Sequence, residues 1–219
     1  MRQPKLSEKP PSPRRSKSEM LAVAAEVFSE LGYDGASIDV IAQRLGSSKG
    51  RIYHYYKSKA ELFLEVQKTA MIRMIETIGP IVQLDIPPDE KLACMAFAHA
   101  RLIMSDVASQ SVAMQGLTRH LVDHLSKNHP EQVAFMMKSR DDFEGFYSRV
   151  IDDGVASGRF VEVPGRFAAK PILGSLNWIT LWYRARKRQT DADLDELARI
   201  HSEYALRSIR RPSALSWVA

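Results

Sequence analysis

Residues 48–59, SKGRIYHYYKSK, concentrate side chains that bind polyanions. The segment holds four basic side chains, three tyrosines and one histidine, and it has no acidic residue. Lysine and arginine bind phosphates, and the planar fork of an arginine matches the O6 and N7 atoms of guanine. Tyrosine hydroxyls donate to phosphate oxygens, a contact that fixes register without reading sequence. These residue types therefore favour contact with nucleic acid.

The charge distribution of the whole chain supports the same interpretation. The 219 residues carry a formal net charge of +5. Residues 1–60 hold 11 lysines and arginines against 6 aspartates and glutamates, whereas residues 61–219 hold 20 of each. A basic surface attracts polyanions, of which nucleic acid is the commonest inside a cell. A solvated basic surface without a function is the alternative.

Several other classes of protein are disfavoured. The single cysteine, Cys94, excludes an internal disulfide and suits a reducing compartment. The first 19 residues have no apolar run typical of a signal peptide, and no segment is long and apolar enough to span a bilayer. His120 and His124 are four residues apart without a third ligand at metal-site spacing, and no nucleophile or phosphate-loop motif appears. We therefore expect a soluble cytoplasmic protein that is not an enzyme and has no cofactor, metal or membrane partner.

Apolar residues recur at helical spacing almost to the end of the chain, so we predict an all-α fold of about nine helices. Residues 1–13 carry four prolines and alternating charge, which predicts a disordered arm. Glycines and serine caps bound the first helices, and Ser58 and Glu61 form a capping box before the fourth. The first four helices are predicted at 16–31, 38–45, a short stretch from Ser48, and from Ser58 to about Ile78, before Gly79 and Pro80.

A larger helical body is predicted after these elements. Pro171 should kink one of its helices or mark where that helix begins. The last residues, 212–219, are predicted to be a frayed tail. The predicted helices of the body cover 85–107, 110–126, 130–157, 166–187 and 191–210.

Helix 38–45, the break at Gly46 and Ser47, and the short helix from Ser48 have the plan of a helix-turn-helix. In that plan the second helix places its N-terminal end in the major groove, while Ile52 and Tyr56 face inward. Arg51 suits guanine, Gly50 permits close backbone approach, and the serines at helix N-termini suit phosphate. Basic residues of the arm, Arg14, Arg15 and Lys17, are candidates for the DNA backbone or minor groove. The predicted DNA contacts are Ser37, Ser48, Lys49, Gly50, Arg51, Tyr53, His54, Tyr55 and Lys59.

The segment GASIDVIAQRLGSSKGRIYHYYKSKAELF resembles the DNA-binding domain of the TetR family of bacterial transcriptional regulators. The resemblance covers about residues 15–65, and Arg51 departs from it, since that position more often holds a small residue. It implies three helices on DNA, a linking fourth helix, and a ligand-binding body that forms a homodimer through its last two helices. Given this resemblance, we predict that the chain divides into an arm (1–13), a DNA-binding domain (14–60), a ligand-binding and dimerisation domain (61–211) and a tail (212–219).

Candidate ligand contacts lie in the predicted body. Met104, Phe143 and Tyr147 are predicted to line an adaptable apolar cavity, with ordinary core packing as the alternative. The segment ILGSLNWITLWYRARKR, residues 172–188, adds Asn177, Trp178 and Trp182 beside a basic cluster. This segment is similar to a helix of TetR-family regulators that sense acyl-CoA thioesters, which implies an acyl-CoA-type effector. The alternative is that both tryptophans fill the dimer interface and the basic cluster is solvated.

The sequence therefore predicts a ligand-responsive, homodimeric repressor that a small hydrophobic or acyl-CoA-type effector releases from a palindromic operator. A DNA-associated architectural or cell-division protein of the same fold, without a small-molecule switch, is the alternative. A cavity in the second domain distinguishes the two, because only the switch needs one.

Overall fold

The computed structural model describes residues 13–116 and 118–211. Within these ranges helices are joined by turns and loops, and the only β-type pairing is one isolated antiparallel bridge between Phe160 and Arg210, so the all-α prediction is confirmed. Residues 1–12 of the predicted arm and the predicted tail lie outside the described residues, and Pro13 begins the first helix. The described helices are α1 Pro13–Gly35, α2 Ile38–Arg44, α3 Lys49–Tyr55, α4 Lys59–Val82, α5 Pro88–Ser105, α6 Val107–Gln115, α7 Arg119–Ser126, α8 Pro130–Ala156, α9 Gly165–Asn177, α10 Ile179–Trp182 and α11 Asp191–Arg207.

Serine caps begin the three helices that follow α1, as the sequence predicts. The hydroxyls of Ser37, Ser48 and Ser58 each accept a hydrogen bond from the backbone N–H three residues later, at 3.3, 3.3 and 3.1 Å. Each cap satisfies a donor that the first helical turn leaves unpaired. In a capping box the carboxylate of Glu61 would accept from the N–H of Ser58. It accepts instead from the N–H of Lys57, at 2.6 Å. The starts of α2, α3 and α4 are therefore fixed by local chemistry.

Three predicted helix boundaries are wrong. Helix α4 continues through Gly79 and Pro80 to Val82, because a proline near a helix end removes only one backbone hydrogen bond. The predicted helix 110–126 is divided into α6 and α7. The predicted helix 166–187 is divided into α9 and α10 and ends at Trp182, and Pro171 lies inside α9 instead of beginning it.

Two clusters of buried apolar side chains form the interior. The first core joins α1, α2, α3 and the first half of α4 with residues of α6, α7 and α8. The second core lies among α4, α5, α8, α9, α10 and α11. Helix α4 belongs to both, with Phe63 in the first core and Ile78 in the second. We call α1–α3 the N-terminal unit and α5–α11 the C-terminal body; the packing between them is continuous across the predicted boundary at residue 60.

A sharp corner at Asp106 separates α5 from α6, whose axes are bent by 101°. Asp106 leaves helical geometry (φ −144°, ψ 52°), and its carboxylate pairs with Arg73 of α4. Of the helices in the described ranges, none is by itself long and apolar enough to cross a membrane, and only α5 and α6 taken together meet that criterion. The corner turns α6 back so that it packs against α1 and α4.

The joint between α4 and α6 is tightly packed around Gly116. The side-chain amide of Gln67 is buried and donates to the carbonyl of Val112 at 3.3 Å. A Cβ atom on Gly116 would lie 1.3 Å from Nε2 of Gln67. Since Gly116 has ordinary helical dihedrals (φ −67°, ψ −6°), glycine is needed here for space and not for backbone conformation.

We predict that Gly116→Ala destabilises the protein by about 1–3 kcal/mol, because the methyl group displaces Gln67 and breaks its hydrogen bond. Gly79→Ala is the matched control: a Cβ there meets nothing within 4 Å. It should raise stability by roughly 0.5–1 kcal/mol, since alanine is the better helix former. Urea denaturation at one protein concentration measures both. Equal effects of the two substitutions would contradict this account of the joint.

Candidate nucleic-acid interface and effector cavity

Helix α3 presents most of the predicted DNA contacts on one side. Lys49, Gly50, Tyr53 and His54 are exposed, and Tyr53 exposes 51% of its surface. Arg51 and Tyr55 are half-buried. Ile52 and Tyr56 are buried in the first core, which confirms their predicted inward orientation. The helix thus has an apolar face that attaches it to the N-terminal unit and a polar face rich in hydrogen-bond donors.

An ion pair between Lys49 and Asp39 connects α3 to α2. The carboxylate of Asp39 accepts from the ammonium group and raises the pKa of Lys49. Both side chains are more than half exposed, so the pair contributes little to stability and its partners exchange readily. A contact between Lys49 and a phosphate or a base therefore requires the lysine to release this carboxylate.

Two predicted phosphate contacts have intramolecular partners. The ammonium group of Lys59 donates to the carbonyls of Tyr33 and Ala36, at 2.8 and 3.0 Å, and lies 4.4 Å from the ring centroid of Tyr33. Lys17 donates to Glu65 at 2.9 Å. Lys59 attaches α4 to the end of α1, and Lys17 attaches the start of α1 to α4. The sequence did not predict this positioning role. The side chains of Arg14 and Arg15 lie outside the described part of the chain.

Gly50 and the serine caps leave room for an approaching phosphate. A Cβ on Gly50 would meet only Oγ of Ser48, at an ordinary 3.7 Å, so nothing within the protein requires glycine there. The hydroxyls of Ser37 and Ser48 accept from backbone N–H groups and still have a proton to donate. The exposed start of α3 can therefore donate to an anion from both side chains and backbone.

A cavity of about 310 Å³ lies in the C-terminal body, bounded by α4 on one side and by α5, α6, α8, α9 and α10 on the others. Its wall is mostly apolar, with a few buried polar groups and a charged rim that includes an ion pair between Lys170 and Glu144 (2.6 Å). This volume is within the range of small-molecule sites. The lining residues are Met71, Met74, His99, Gln110, Ala113, Met114, Met136, Arg140, Phe143, Glu144, Lys170, Leu173, Gly174, Asn177 and Thr180.

A buried hydrogen-bonded network ends at this cavity. His99 is 1% exposed; its Nε2 lies 3.2 Å from Oδ1 of Asn177, and its Nδ1 lies 3.0 Å from the hydroxyl of Tyr147. Burial lowers the pKa of His99 to about 4, so the imidazole is neutral near pH 7. With the amide oxygen of Asn177 facing Nε2, that nitrogen carries the proton and Nδ1 accepts from Tyr147. The network presents a directional polar group to an otherwise apolar space.

The structure brings some predicted ligand contacts together and separates others. Phe143 and Asn177 line the cavity, and Tyr147 lies behind them, bonded to His99. Met104 is packed in the second core and does not line the cavity. Trp178 and Trp182 do not line it either. Sequence reasoning missed the part of His99, because a single histidine in an apolar helix carries no pattern that indicates a ligand site.

The two tryptophans are exposed on the outside of the body. Trp182 stacks on His201 of α11, with ring centroids 5.8 Å apart, and the basic residues after it lie between α10 and α11. A groove of about 570 Å³ separates α9 from α11 on this side. Trp178 and Leu181 line another groove, which faces α1. The other large exposed apolar residues of α9, α10 and α11, each at least 41% exposed, are Phe167, Trp182, Ile200 and Tyr204.

Comparison with known proteins gives two adjacent matches. Residues 20–66 match the family described as bacterial regulatory proteins, tetR family. Residues 85–209 match the family described as tetracyclin repressor-like, C-terminal domain. Together they cover most of the N-terminal unit and the whole C-terminal body.

Individual relatives agree with these matches. The chain is 42% identical over 60 residues to the HTH-type transcriptional repressor AcnR of Corynebacterium jeikeium, which covers 27% of this chain and about a third (32%) of that protein. The crystal structure of PfmR from Thermus thermophilus is 29% identical, with a TM-score of 0.73 over 88% of this chain and 99% of that one. AibR in complex with isovaleryl coenzyme A and operator DNA shares the fold, with a TM-score of 0.67 and 21% identity over 84% of this chain and 96% of that one.

The buried histidine predicts how stability depends on pH. Because the pKa of His99 falls from its ordinary 6.5 to about 4 on folding, the unfolded chain takes up a proton between these values and the folded chain does not. Stability should be full above pH 6.5 and fall by roughly 3 kcal/mol as the pH drops to 4. Denaturation midpoints across this window measure it.

His99→Gln and His99→Asn should flatten this dependence. His201 is the matched control, since half burial lowers its pKa in the same direction but without a comparable network. His201→Gln should therefore retain most of the slope. A slope that persists in both His99 variants would rule out this histidine as its source.

Proposed function

The chain belongs to the TetR family of bacterial transcriptional regulators, and we propose that it is a homodimeric repressor whose operator affinity falls when an acyl-CoA-type effector binds. The observation that carries this proposal is the cavity of about 310 Å³, which has a mostly apolar wall, the buried His99 network and a charged rim, and which adjoins helix α6. An architectural protein without a switch has no use for such a space. The cavity therefore favours the ligand-responsive alternative.

The DNA-binding step is assigned to α3 and to the helix starts beside it. The exposed N-terminal half of α3 carries Lys49, Gly50 and Arg51, and Ser37 and Ser48 add hydroxyl donors. Arg51 is proposed to read guanine, while the tyrosines, His54 and the serines position the backbone. One such helix reads only a few base pairs. Two related by a twofold axis read a palindrome with half-sites about 34–36 Å apart.

The second copy is proposed to cover the apolar face of α9, α10 and α11. Four large apolar side chains of these helices are exposed outside the groove that faces α1: Phe167, Trp182, Ile200 and Tyr204. A monomer rarely exposes an apolar surface of this kind without a partner. Trp182 is accordingly proposed to serve the interface, which was the alternative to its role as a ligand contact, whereas Trp178 lines the groove that faces α1.

The effector is proposed to place an apolar acyl group in the cavity and its carbonyl near Asn177 and His99. The methionines of the wall, Met71, Met74, Met114 and Met136, adapt to chains of different shape. AibR, a protein of the same fold, binds isovaleryl coenzyme A together with operator DNA. This similarity in fold supports a coenzyme A thioester as the class of ligand and does not identify the acyl group.

Helix α6 is proposed to couple the cavity to the DNA-binding helices. Gln110 and Met114 line the cavity, Val112 is buried in the first core, and the side chain of Gln115 donates to the carbonyl of Phe28 in α1 at 3.0 Å. A ligand that displaces α6 therefore displaces α1 and α4 with it. The ligand must bind the released conformation more tightly than the DNA-bound one, or it shifts no equilibrium.

We predict that Arg51→Ala weakens binding to a selected duplex by about 1–3 kcal/mol and relaxes one base position. Gly50→Ala should also weaken binding, because its methyl group meets the DNA backbone, while leaving the fold intact or slightly more stable. Fluorescence anisotropy, with a duplex selected from a random pool by the wild-type protein, measures affinity. Unchanged affinity and base preference in Arg51→Ala would remove this residue from the interface.

A second prediction concerns the effector. A series from butyryl-CoA to palmitoyl-CoA should raise the melting temperature of the wild-type protein and lower its affinity for the same duplex. Ala113→Leu and Leu173→Phe fill the cavity and should weaken acyl-CoA binding by at least ~10-fold, with operator binding retained. Leu84→Phe, at an exposed position away from the cavity, is the control. If the cavity variants bind like the wild type, the ligand site lies elsewhere.

A further inference from the structure

A second space adjoins the cavity and reaches the N-terminal unit. A groove of about 690 Å³ lies between α1 on one side and α6 and α10 on the other. Met114, Asn177 and Thr180 line both this groove and the cavity. The two spaces are therefore neighbours that share one wall, and a ligand longer than the cavity extends past that wall into the groove.

The chemistry of the wall changes from one space to the other. The cavity is lined mainly by methionine, phenylalanine, leucine and alanine. The groove adds neutral polar side chains and charged groups: Ser29, Ser111, Gln115, Thr118, Glu26, Glu30 and Arg184. One molecule that fits both spaces must be amphiphilic, with an apolar end in the cavity and a hydrogen-bonding chain in the groove.

Gln115, one of the residues that line the groove, has a buried acceptor without a partner in the described part of the chain. Its Nε2 donates to the carbonyl of Phe28 at 3.0 Å, and this bond fixes which end of the amide is oxygen. The oxygen, Oε1, is buried and has no hydrogen-bond partner among the described residues. A buried acceptor without a donor is costly, so a group that donates to it gains affinity. The amide N–H groups of a pantetheine chain are donors of the required kind.

The groove has a cationic lining residue, Arg184, and further basic residues follow it in the chain. Trp178, Leu181 and Arg184 follow one another at three-residue spacing and line it. The guanidinium group of Arg184 donates to the carbonyl of Tyr183 at 2.7 Å, remains exposed, and precedes Arg186, Lys187 and Arg188. Phosphates emerging from the groove there meet a cluster of cations, whereas Glu26 and Glu30 on α1 suit neutral amides and not phosphates.

We infer that the effector occupies two compartments, its acyl group in the cavity and its pantetheine chain in the groove against α1, with its phosphates at Arg184 and the basic residues after it. This inference rests on the proposed function and adds to it a direct contact between the ligand and the N-terminal unit. The pantetheine chain then contacts α1 directly at Ser29 and indirectly through Gln115 of α6, which bonds the carbonyl of Phe28. The ligand can therefore move the DNA-binding helices without relying only on a displacement of α6.

The test compares two esters of the same acyl group in calorimetric titrations without DNA. The acyl group is the one that the CoA series selects, and the esters are the full CoA thioester and its N-acetylcysteamine thioester, which lacks most of the polar chain. The wild type should bind the CoA ester at least ~10-fold more tightly. Ser29→Trp, which fills the groove from α1, should remove that advantage and leave the affinity for the short ester within roughly 2-fold.

Matched variants separate the possible outcomes. Leu31→Trp, at an exposed position of α1 that does not line the groove, should bind both esters like the wild type. Ala113→Leu, in the cavity, should lose affinity for both. If Ser29→Trp binds the CoA ester as tightly as the wild type, or if Leu31→Trp loses the same affinity, the groove is not the second compartment and the proposed function stands. If the wild type binds neither ester, the effector class and this inference fall together, while the DNA-binding assignment is tested separately by Arg51→Ala.

Discussion

The packing of α6 between α1 and α4 is the constraint on which the rest of the structure depends. Three side-chain amides hold this nine-residue helix: Gln67 bonds the carbonyl of Val112, Gln110 that of Ala70, and Gln115 that of Phe28. The first two fix α6 to α4, and the third fixes it to α1. Since interiors are close-packed, such a joint moves as a unit or changes partners and does not deform smoothly. One helix thereby belongs to the wall of a cavity and to the core that carries the DNA-binding helices.

The polar network at the cavity gives specificity at a cost in stability. Burying His99, Tyr147 and Asn177 among apolar side chains is favourable only while each polar group has a partner, and the hydrogen bonds of His99 at 3.0 and 3.2 Å provide two of them. Burial also raises the pKa of Tyr147, so its hydroxyl stays protonated and able to donate. A ligand carbonyl that approaches Asn177 competes for this network. The site therefore distinguishes ligands by where they place a polar group as well as by shape.

The sequence predicts what is decided locally and misses what is decided by packing. Ser37, Ser48 and Ser58 cap helices because the side chain and its N–H partner are three residues apart, and Ile52 and Tyr56 face inward because of helical spacing. The need for glycine at position 116 depends on Gln67, 49 positions earlier in the chain, and is not predictable from the segment itself. For the same reason the sequence predicts a phosphate contact for Lys59, although this lysine bonds the carbonyls at the end of α1. The spacing of Trp178 and Trp182 suggests ligand contacts, but spacing cannot tell the inside of a helical body from its outer face.

The pairing of basic residues in the N-terminal unit limits attraction to DNA of arbitrary sequence. Counted from the sequence, residues 1–60 carry a net charge of +5, but Lys17 pairs with Glu65, Arg44 with Glu30 and Lys49 with Asp39. Non-specific affinity grows with the number of phosphates that a protein neutralises, and each paired basic residue must first release its carboxylate to contribute. Such exchange is favourable only where the whole polar face of α3 fits the groove and several contacts form together. These three ion pairs therefore raise the share of the binding free energy that comes from base contacts, which is the part that discriminates one site from another.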